Sequence, residues 1–329
     1  MIIVLTLLFY FIVIADLHKI NPGLTVEVDR IKGLEALQQN ATKGVYASCH
    51  IMLFADIVDY KTAVDKCEKL NIGETSHNLA TVNNMNRTED IKLLLGIAYK
   101  SSDQWVWAGL KKVQNNKGNK KSKKYNPNHW KWPDGSTIIN FSMWQDKQPD
   151  QKKVKNRKQN QIRIDKNGEW QDIWDNKEHP YACDYHGKYI ISPTRMFWRA
   201  ARTACLRAGM ILAKVRNAQE VAEMVKAINY FLGPELDDDV WNDKNWVLIG
   251  GNDIEREGKW EWADGENIVG LEELPWMEGQ PDNARMNPIH RPWTKKRQDV
   301  MAISKVGMLD DAFTTATKRA FACQCMETV

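Results

Sequence analysis

The chain has 329 residues, a formal net charge of +4 at pH 7 and six cysteines. This length fits two domains of ordinary size, each able to bury its own core. Six cysteines indicate an oxidising compartment, and an extracellular setting argues against nucleic acid as the natural partner.

The first fifteen residues are apolar and carry no charged side chain. This run is too short to span a bilayer easily, so it predicts a signal peptide over residues 1–15, with a membrane anchor as the alternative. No second apolar run of that length follows, so we expect a secreted mature chain. Sequons usable only in that compartment occur at Asn40, Asn86 and Asn140.

Residues 16–45 have little apolar periodicity, so we expect an N-terminal arm there. Apolar spacing and capping residues then predict a strand over 45–54, a helix over 60–70 and a second helix beginning within 83–88. The following segments predict a strand over 104–110, loop from 135 to 159, and strands over 161–164 and 181–184.

Gly187 and Lys188 form a short linker, after which the same order of elements returns. The predicted elements are a strand at 189–191, helices over 197–208 and 218–231, and strands over 245–250, 300–304 and 321–325. Helices followed by strands and long loops are an α+β pattern. Long ordered loops inside a compact domain commonly carry function.

A repeated motif explains this recurrence. The run Trp130-Lys131-Trp132-Pro133-Asp134-Gly135 returns as Trp260-Glu261-Trp262-Ala263-Asp264-Gly265. In each copy a Trp (Trp144 or Trp276) and then a Gln-Pro-Asp sequence follow, four residues apart. The offset of about 130 to 140 residues is the size of one globular domain. We therefore expect a duplicated domain, with a first half over 46–186 and a second half over 187–329.

Each half also has a Cys in its first helix and a closing Cys, and the first half has Trp-Ala-Gly-Leu and Trp170-Gln171-Asp172 segments. In combination these features resemble the C-type lectin-like domain, over about residues 46–326. The resemblance implies an α+β fold of two tandem domains, each with two helices, antiparallel strands and a long ligand loop. As a pair behind a signal peptide, the chain is similar to the secreted two-domain lectins of insects, the immulectin type.

The resemblance implies two disulfides, Cys67–Cys183 and Cys205–Cys323. Loop entropy makes each worth about 4–5 kcal/mol. Since the ends of such domains lie together and the linker is short, we expect the remaining Cys49 and Cys325 to pair across the halves. An intermolecular bond and free thiols are the alternatives. A redox or metal pair at Cys323 and Cys325 lacks an accompanying His or Cys cluster.

In the family, the Gln-Pro-Asp loop and residues near it supply calcium ligands that also bind sugar hydroxyls. The matching set in the second half is Gln280, Asp282, Asn283, Gln298, Asp310 and Asp311. Its three carboxylates carry adequate charge for Ca²⁺, and Gln-Pro-Asp is the galactose-type order. Trp293 either stacks on a sugar or packs under its own loop. The alternative is a relic loop with solvated acids.

The first half is a weaker candidate for calcium. Its matching set is Gln148, Asp150, Gln159, Gln171 and Asp172, with only two carboxylates. The intervening residues 151–163 are basic and contain no acid. Positive charge so close opposes cation binding, so we expect a degenerate site.

Two basic stretches of the first half predict a patch for polyanions such as sulfated glycans, microbial anionic polymers or anionic lipids. Its members are Lys111, Lys112, Lys120, Lys121, Lys123, Lys124, Lys152, Lys153, Lys155, Arg157 and Lys158. A solvated, mobile loop is the alternative reading. Residues 284–297 of the second half are basic as well.

No nucleophile–base–acid set, metal-binding histidine spacing or phosphate loop is present in the sequence, so we expect no enzyme. We expect the protein to be a secreted glycan-binding lectin of innate defence, with a Ca²⁺ site only in the second half. The alternative is a calcium-independent protein- or polyanion-binding module of a matrix, venom or virulence factor.

Overall fold

Two β-sheets, one in each half of the chain, form the framework of the protein. The structure is a computed structural model. It describes residues 30, 32–37, 45–70, 72, 77–99, 104–113, 126–154, 157–237, 239, 242–284, 297–315 and 318–326. The predicted signal peptide and most of the predicted arm lie outside these residues. No helix within the described ranges is both long enough and apolar enough to cross a membrane.

The first half contains two helices and nine strands. These are β1 (Val45–Ala47), β2 (Ile51–Val58), α1 (Tyr60–Glu68), α2 (Met85–Ala98), β3 (Trp105–Lys112), β4 (Trp130–Lys131), β5 (Lys153–Val154), β6 (Arg157–Lys158), β7 (Gln161–Asp165), β8 (Trp170–Ile173) and β9 (His179–Asp184) among the described residues.

The second half has two helices and six strands within the same limits. They are β10 (Tyr189–Met196), α3 (Trp198–Arg207), β11 (Met210–Leu212), α4 (Ala218–Leu232), β12 (Trp246–Asn252), β13 (Gln298–Ser304), β14 (Leu309–Phe313) and β15 (Arg319–Cys325).

The two sheets have the same topology. The first has the order β1-β2-β9-β3-β7-β8, and the second has the order β10-β15-β12-β13-β14. The central contact is parallel in each sheet, β3 with β9 and β12 with β15, while the neighbouring pairs are antiparallel. The strands β2-β9-β3-β7-β8 of the first sheet correspond one by one to β10-β15-β12-β13-β14 of the second. The repeat in the sequence is therefore also a repeat in the fold. The α+β architecture with two helices per half is confirmed.

Local capping explains why the helices begin where the sequence predicted. The side chain of Asp59 accepts a hydrogen bond from the backbone N–H of Thr62 at 2.8 Å at the start of α1. Asn84 caps α2 and Asn217 caps α4 in the same way. A side-chain acceptor at this position satisfies one of the free N–H groups of the first turn, which stabilises the helix start.

The predicted strand over 45–54 is wrong, because the chain turns in its middle. β1 pairs antiparallel with β2, so that Ala47 lies opposite Met52. The hydroxyl of Ser48 accepts from the backbone N–H groups of Ile51 at 3.2 Å and His50 at 3.4 Å, which closes the turn. The short strands β4, β8, β11 and β14, each at most five residues long, were not predicted. The segment 135–159, predicted as loop, contains β5 and β6, the second of which ends at Lys158.

The predicted arm contains a packed helix rather than a simple extension. Residues 32–37, here termed the N-terminal helical segment, bury Leu34 and Leu37 to 1% exposure each. Arg30 forms an ion pair with Asp90 of α2 in the first half. The hydroxyl of Ser192 in the second half donates to the carbonyl of Leu37 at 2.6 Å. The segment therefore contacts both halves, which its weak periodicity did not reveal.

Three disulfides complete the framework, and they are the three expected pairs. Two of them tie a first helix to a last strand, Cys67–Cys183 in the first half and Cys205–Cys323 in the second. The third, Cys49–Cys325, joins the halves with a Cα–Cα distance of 5.6 Å. One buried apolar cluster also includes side chains from both halves, such as Tyr181 and Trp198. Covalent and apolar contacts therefore hold the halves together.

Candidate functional site

The Gln-Pro-Asp loop of the second half is held against β14 by one carboxylate. Asp311 accepts hydrogen bonds from the backbone N–H groups of Asp282 at 3.3 Å and Asn283 at 2.7 Å. Gln298 on β13 donates its amide to the carbonyl of Asp311 at 2.8 Å. Gln280 accepts from the N–H of Asp282 at 3.0 Å. Five predicted residues thus form one network. Together with Asp310, the neighbour of Asp311 on β14, they are here termed the second-half loop site.

A half-buried tryptophan, packed against a buried one, supports each of the two loops. The ring of Trp276 lies 5.6 Å from that of Trp260, and its backbone forms a parallel bridge with Leu309 at the start of β14. Trp144 forms the same bridge with Trp170 in the first half. The repeated tryptophans therefore pack in or against the core and position the loops.

Three side-chain oxygens of the second-half loop site are buried without a hydrogen-bond donor from the described protein. They belong to Asn283 (Oδ1), Gln298 (Oε1) and Asp310 (Oδ1). A buried acceptor left unpaired costs about 1–3 kcal/mol, and such groups in native proteins commonly have a water or an ion as partner. Three of them in one loop network indicate a position for a positively charged or donating ligand.

The electrostatics of the site favour a cation. Burial raises the pKa of Asp310 to about 7; the Arg319 guanidinium, 3.8 Å away, opposes this rise, while Asp311 and Asp282 add to it. Burial likewise raises the pKa of Asp311, with a further contribution from Asp282. The charge of Asp282 thus makes the ionisation of Asp310 and Asp311 less favourable, and a bound cation would relieve this repulsion.

The donor types fit calcium better than a softer metal. Ca²⁺ takes about 6–8 oxygen ligands, and the network offers carboxylates and amide oxygens without sulfur or imidazole. Across the described ranges, however, no three His, Cys, Asp or Glu side chains converge closely enough to hold a metal ion. One reason is that Asp310 faces Arg319, whose guanidinium also donates to Asp243 at 2.9 Å.

The loop of the first half has the same backbone support. Asp172 on β8 accepts from the N–H groups of Asp150 at 3.0 Å and Gln151 at 2.8 Å. Gln148 accepts from Asp150 at 3.2 Å, as Gln280 does from Asp282. The structure therefore brings together the predicted residues of this loop, here termed the first-half loop site.

The two sites differ in how their oxygens are satisfied. The counterparts of the three unpaired oxygens all have donors in the first half: the ammonium of Lys112 for Gln151, the backbone N–H of Lys152 (2.7 Å) for Gln159, and the guanidinium Nε of Arg163 (2.9 Å) for Gln171. In the first half, protein donors therefore satisfy the acceptors whose counterparts in the second half remain unpaired.

A lysine also neutralises the central acid of the first-half loop site. The ammonium of Lys152 lies 2.7 Å from the carboxylate of Asp150. Its counterpart in the second half is Ala284, which has no charge to offer Asp282. Burial raises the pKa of Asp172 to about 6, against hydrogen bonds from Gln151 and Asp150 that lower it. With Lys152 already on Asp150, a second cation there would meet like-charge repulsion.

Two arginines flank these sites. Arg163 belongs to the basic stretch 151–163, but nothing in the sequence indicated that it or Arg319 would flank a loop site. Arg163 and Arg319 approach corresponding positions, Gln171 and Asp310, from different strands. Each guanidinium stacks on the Trp that begins the central strand, Trp105 at 4.1 Å or Trp246 at 5.6 Å. Because the two arginines do not align in the repeat, no spacing in the sequence links them.

Several predicted residues lie outside the described residues, namely Asn40, Lys120, Lys121, Lys123, Lys124, Lys155 and Trp293. For Lys153 and Arg157 only the backbone is described. Of the predicted glycosylation sites, Asn86 at the start of α2 and Asn140 beside the first Trp-x-Trp turn are both exposed.

Comparison with known proteins returns C-type lectins. The chain is 35% identical over 107 residues to the galactose-specific lectin nattectin of Thalassophryne nattereri, which covers 31% of this chain and 58% of nattectin. It is 22% identical over 267 residues to human C-type mannose receptor 2, covering 72% of this chain and 16% of the receptor. The chain thus spans less than two thirds of either relative. No family model matches it.

Two solved structures of C-type lectins also match parts of the chain. The carbohydrate-recognition domain of cow CD23 is 20% identical, with a TM-score of 0.33 over 44% of this chain and 93% of that domain. CEL-I from Cucumaria echinata is 20% identical, with a TM-score of 0.33 over 43% of this chain and 94% of its own. The sequence relatives support the C-type lectin-like family for this chain, and they are lectins and receptors rather than enzymes.

Proposed function

We propose that this chain is a secreted, tandem C-type lectin-like protein that recognises glycans through the second-half loop site. Its role would be pattern recognition of microbial or host glycans in innate defence, as in the two-domain insect lectins that it resembles. Three disulfides support an extracellular setting. The five-strand core that the two sheets share in the same order supports the tandem arrangement, with boundaries at 46–186 and 187–329.

The observation that carries this proposal is the set of buried, unpaired oxygens on Asn283, Gln298 and Asp310. They adjoin the carboxylates of Asp282 and Asp311, so a hard cation would meet both charge and unsatisfied acceptors there. Bound Ca²⁺ would supply a centre that sugar hydroxyls can coordinate. The chain's own residues would hold the ion and orient the sugar.

Selectivity for galactose-type sugars rests on the order of amide and carboxylate in the loop. Gln280 presents an amide, which donates and accepts, while Asp282 presents a carboxylate, which only accepts. The two side chains therefore match a defined pair of vicinal hydroxyls. Similarity to a relative named as a galactose-specific lectin supports the same preference.

Retention on galactose-agarose tests the proposal, first in millimolar calcium and then in chelator. We expect retention in calcium and elution by chelator. The Asp282→Ala, Asp311→Ala double variant should lose retention, because it removes two carboxylates from the site. The matched variant Asp150→Ala, Asp172→Ala makes the same change in the first half and should be retained like the wild type.

Asp311 also holds the loop backbone, so loss of retention in the double variant has a structural alternative. Asp282→Asn keeps the size of the side chain and removes only its charge, and it should weaken retention without lowering the thermal midpoint. If the wild-type protein is not retained in either buffer, the Gln-Pro-Asp loops are relics. The calcium-independent interaction module would then be the better account.

A further inference from the structure

The first-half loop site has an unusual concentration of basic side chains. Lys112 and Lys152 bond directly to loop residues, Gln151 and Asp150. The Lys152 side chain remains 68% exposed while it does so. The ammonium group of Lys152 thus bonds to the loop and faces solvent at the same time.

A further pairing places like charges opposite one another. Lys111 on β3 is in register with Lys131 on β4, and both side chains are exposed. In the small β5–β6 hairpin, the backbone of Lys158 is in register with that of Lys153. Like charges directly across a strand pair are destabilising. Within the described residues, Lys111, Lys131 and Lys158 have no carboxylate at ion-pair distance to offset this repulsion.

We propose that this surface, formed by the first-half loop site and the adjoining lysines of β3 and β4, binds sulfated glycans without calcium. The ammonium of Lys152 gives Asp150 the positive charge that a metal would bring. The lysines that have no carboxylate at ion-pair distance supply the attraction for sulfate groups. The inference rests on the proposed function only in taking the chain to be extracellular and lectin-like. It extends that function by assigning a different ligand class and a metal-free mode of binding to the first half.

A sulfated glycan suits these observations better than nucleic acid. The three disulfides indicate an oxidising compartment, where sulfated polysaccharides are available as extended polyanions. The described surface shows lysines rather than exposed aromatic rings on which bases would stack: Trp130 of β4 is fully buried. Attraction of this kind is electrostatic, so it should fall as salt screens the charges.

The test is binding of the full, disulfide-bonded chain to heparin in chelator at about 0.15 M salt. We expect binding that weakens with added salt, and no binding to fully desulfated heparin. The Lys111→Gln, Lys131→Gln variant removes the two exposed lysines that face each other on β3 and β4. It should bind heparin at least about tenfold more weakly, a loss of about 1.4 kcal/mol.

The control variant Lys61→Gln, Lys226→Gln removes two exposed lysines elsewhere, from α1 and α4, and changes the net charge equally. It should keep nearly the wild-type affinity. Equal losses in the two variants would reduce the effect to net charge and overturn the proposal. So would unchanged binding of Lys111→Gln, Lys131→Gln, or tighter binding to single-stranded DNA than to heparin. Galactose retention of the same preparations reports separately on the proposed function.

Discussion

At the scale of single residues, the two loop sites have the same backbone support and differ in the side chains that surround their acids. In each half, two backbone N–H groups of the loop donate to one strand carboxylate, which is Asp172 in the first half and Asp311 in the second. The difference lies in Lys152, whose counterpart is Ala284. A lysine at this point satisfies the first loop internally. An alanine leaves the acid of the second loop available.

Asp253, which follows β12, provides a test of buried charge at the same scale. Burial raises its pKa to about 6; the backbone N–H of Gly258 opposes this rise, while Glu257 and Asp299 increase it. One of its carboxylate oxygens has no partner among the described residues. Ionised Asp253 is therefore a source of instability at neutral pH.

We expect Asp253→Asn to stabilise the protein by about 1 kcal/mol at pH 7.5, allowing for solvent screening of the charge. A raised folded-state pKa means that the stabilising contribution of the protonated acid is present below about pH 4. It is lost as the pH rises through about 6. Urea unfolding at pH 4 and 7.5 measures the effect, and the gain should vanish at the lower pH. A constant gain at both pH values would contradict the argument.

At the scale of elements, each half is closed by a disulfide between its first helix and its last strand. The two bonds span 116 and 118 residues of sequence. Since loop entropy depends on the logarithm of loop length, they should contribute nearly equal stability. Their burial is also equal, because Cys67 and Cys205 are both fully buried.

We expect the Cys67→Ala, Cys183→Ala variant and the Cys205→Ala, Cys323→Ala variant each to lose about 4–5 kcal/mol of unfolding free energy. Guanidinium unfolding of both variants measures the losses. Values that differ by more than about 1 kcal/mol would mean that local packing, rather than chain entropy, determines the contribution.

At the scale of the whole molecule, the halves are joined in three ways: by the Cys49–Cys325 bond, by a shared apolar cluster and by the N-terminal helical segment. The segment fits closely against α3. A Cβ atom added at Gly33 would lie 2.3 Å from the backbone nitrogen of Ala208. Backbone atoms cannot yield as a flexible side chain does, so this contact requires glycine.

We expect Gly33→Ala to push the segment away from α3 and to destabilise the protein by about 1–3 kcal/mol. The matched control is Gly96→Ala in α2, where the new methyl group meets nothing within 4 Å. Alanine favours the helix there, so this change should stabilise by about 0.5–1 kcal/mol. Chemical unfolding measures both variants. Equal small effects would show that the segment adds little to the joining of the halves.

The repeated architecture of this protein and the starts of its helices could be predicted from the sequence itself. The Trp-x-Trp and Gln-Pro-Asp motifs recur at one offset, so they predicted the duplication. The resemblance to C-type lectin-like domains then indicated which residues belong to both loops. Caps such as Asn84 are local signals, so they predicted where the helices begin. The short strands β8 and β14 were missed because strands are stabilised by partners distant in sequence, which a local pattern does not contain.

Tertiary structure decided which of the two loops has open acceptors. The donors that satisfy the first loop come from β3, β7 and the loop itself, and Arg319 reaches Asp310 from another strand. It also decided that the N-terminal helical segment packs against both halves. These contacts depend on which side chains meet after folding. Composition and spacing determined the repeated domain and its candidate residues, and packing across strands determined the different environment of each copy.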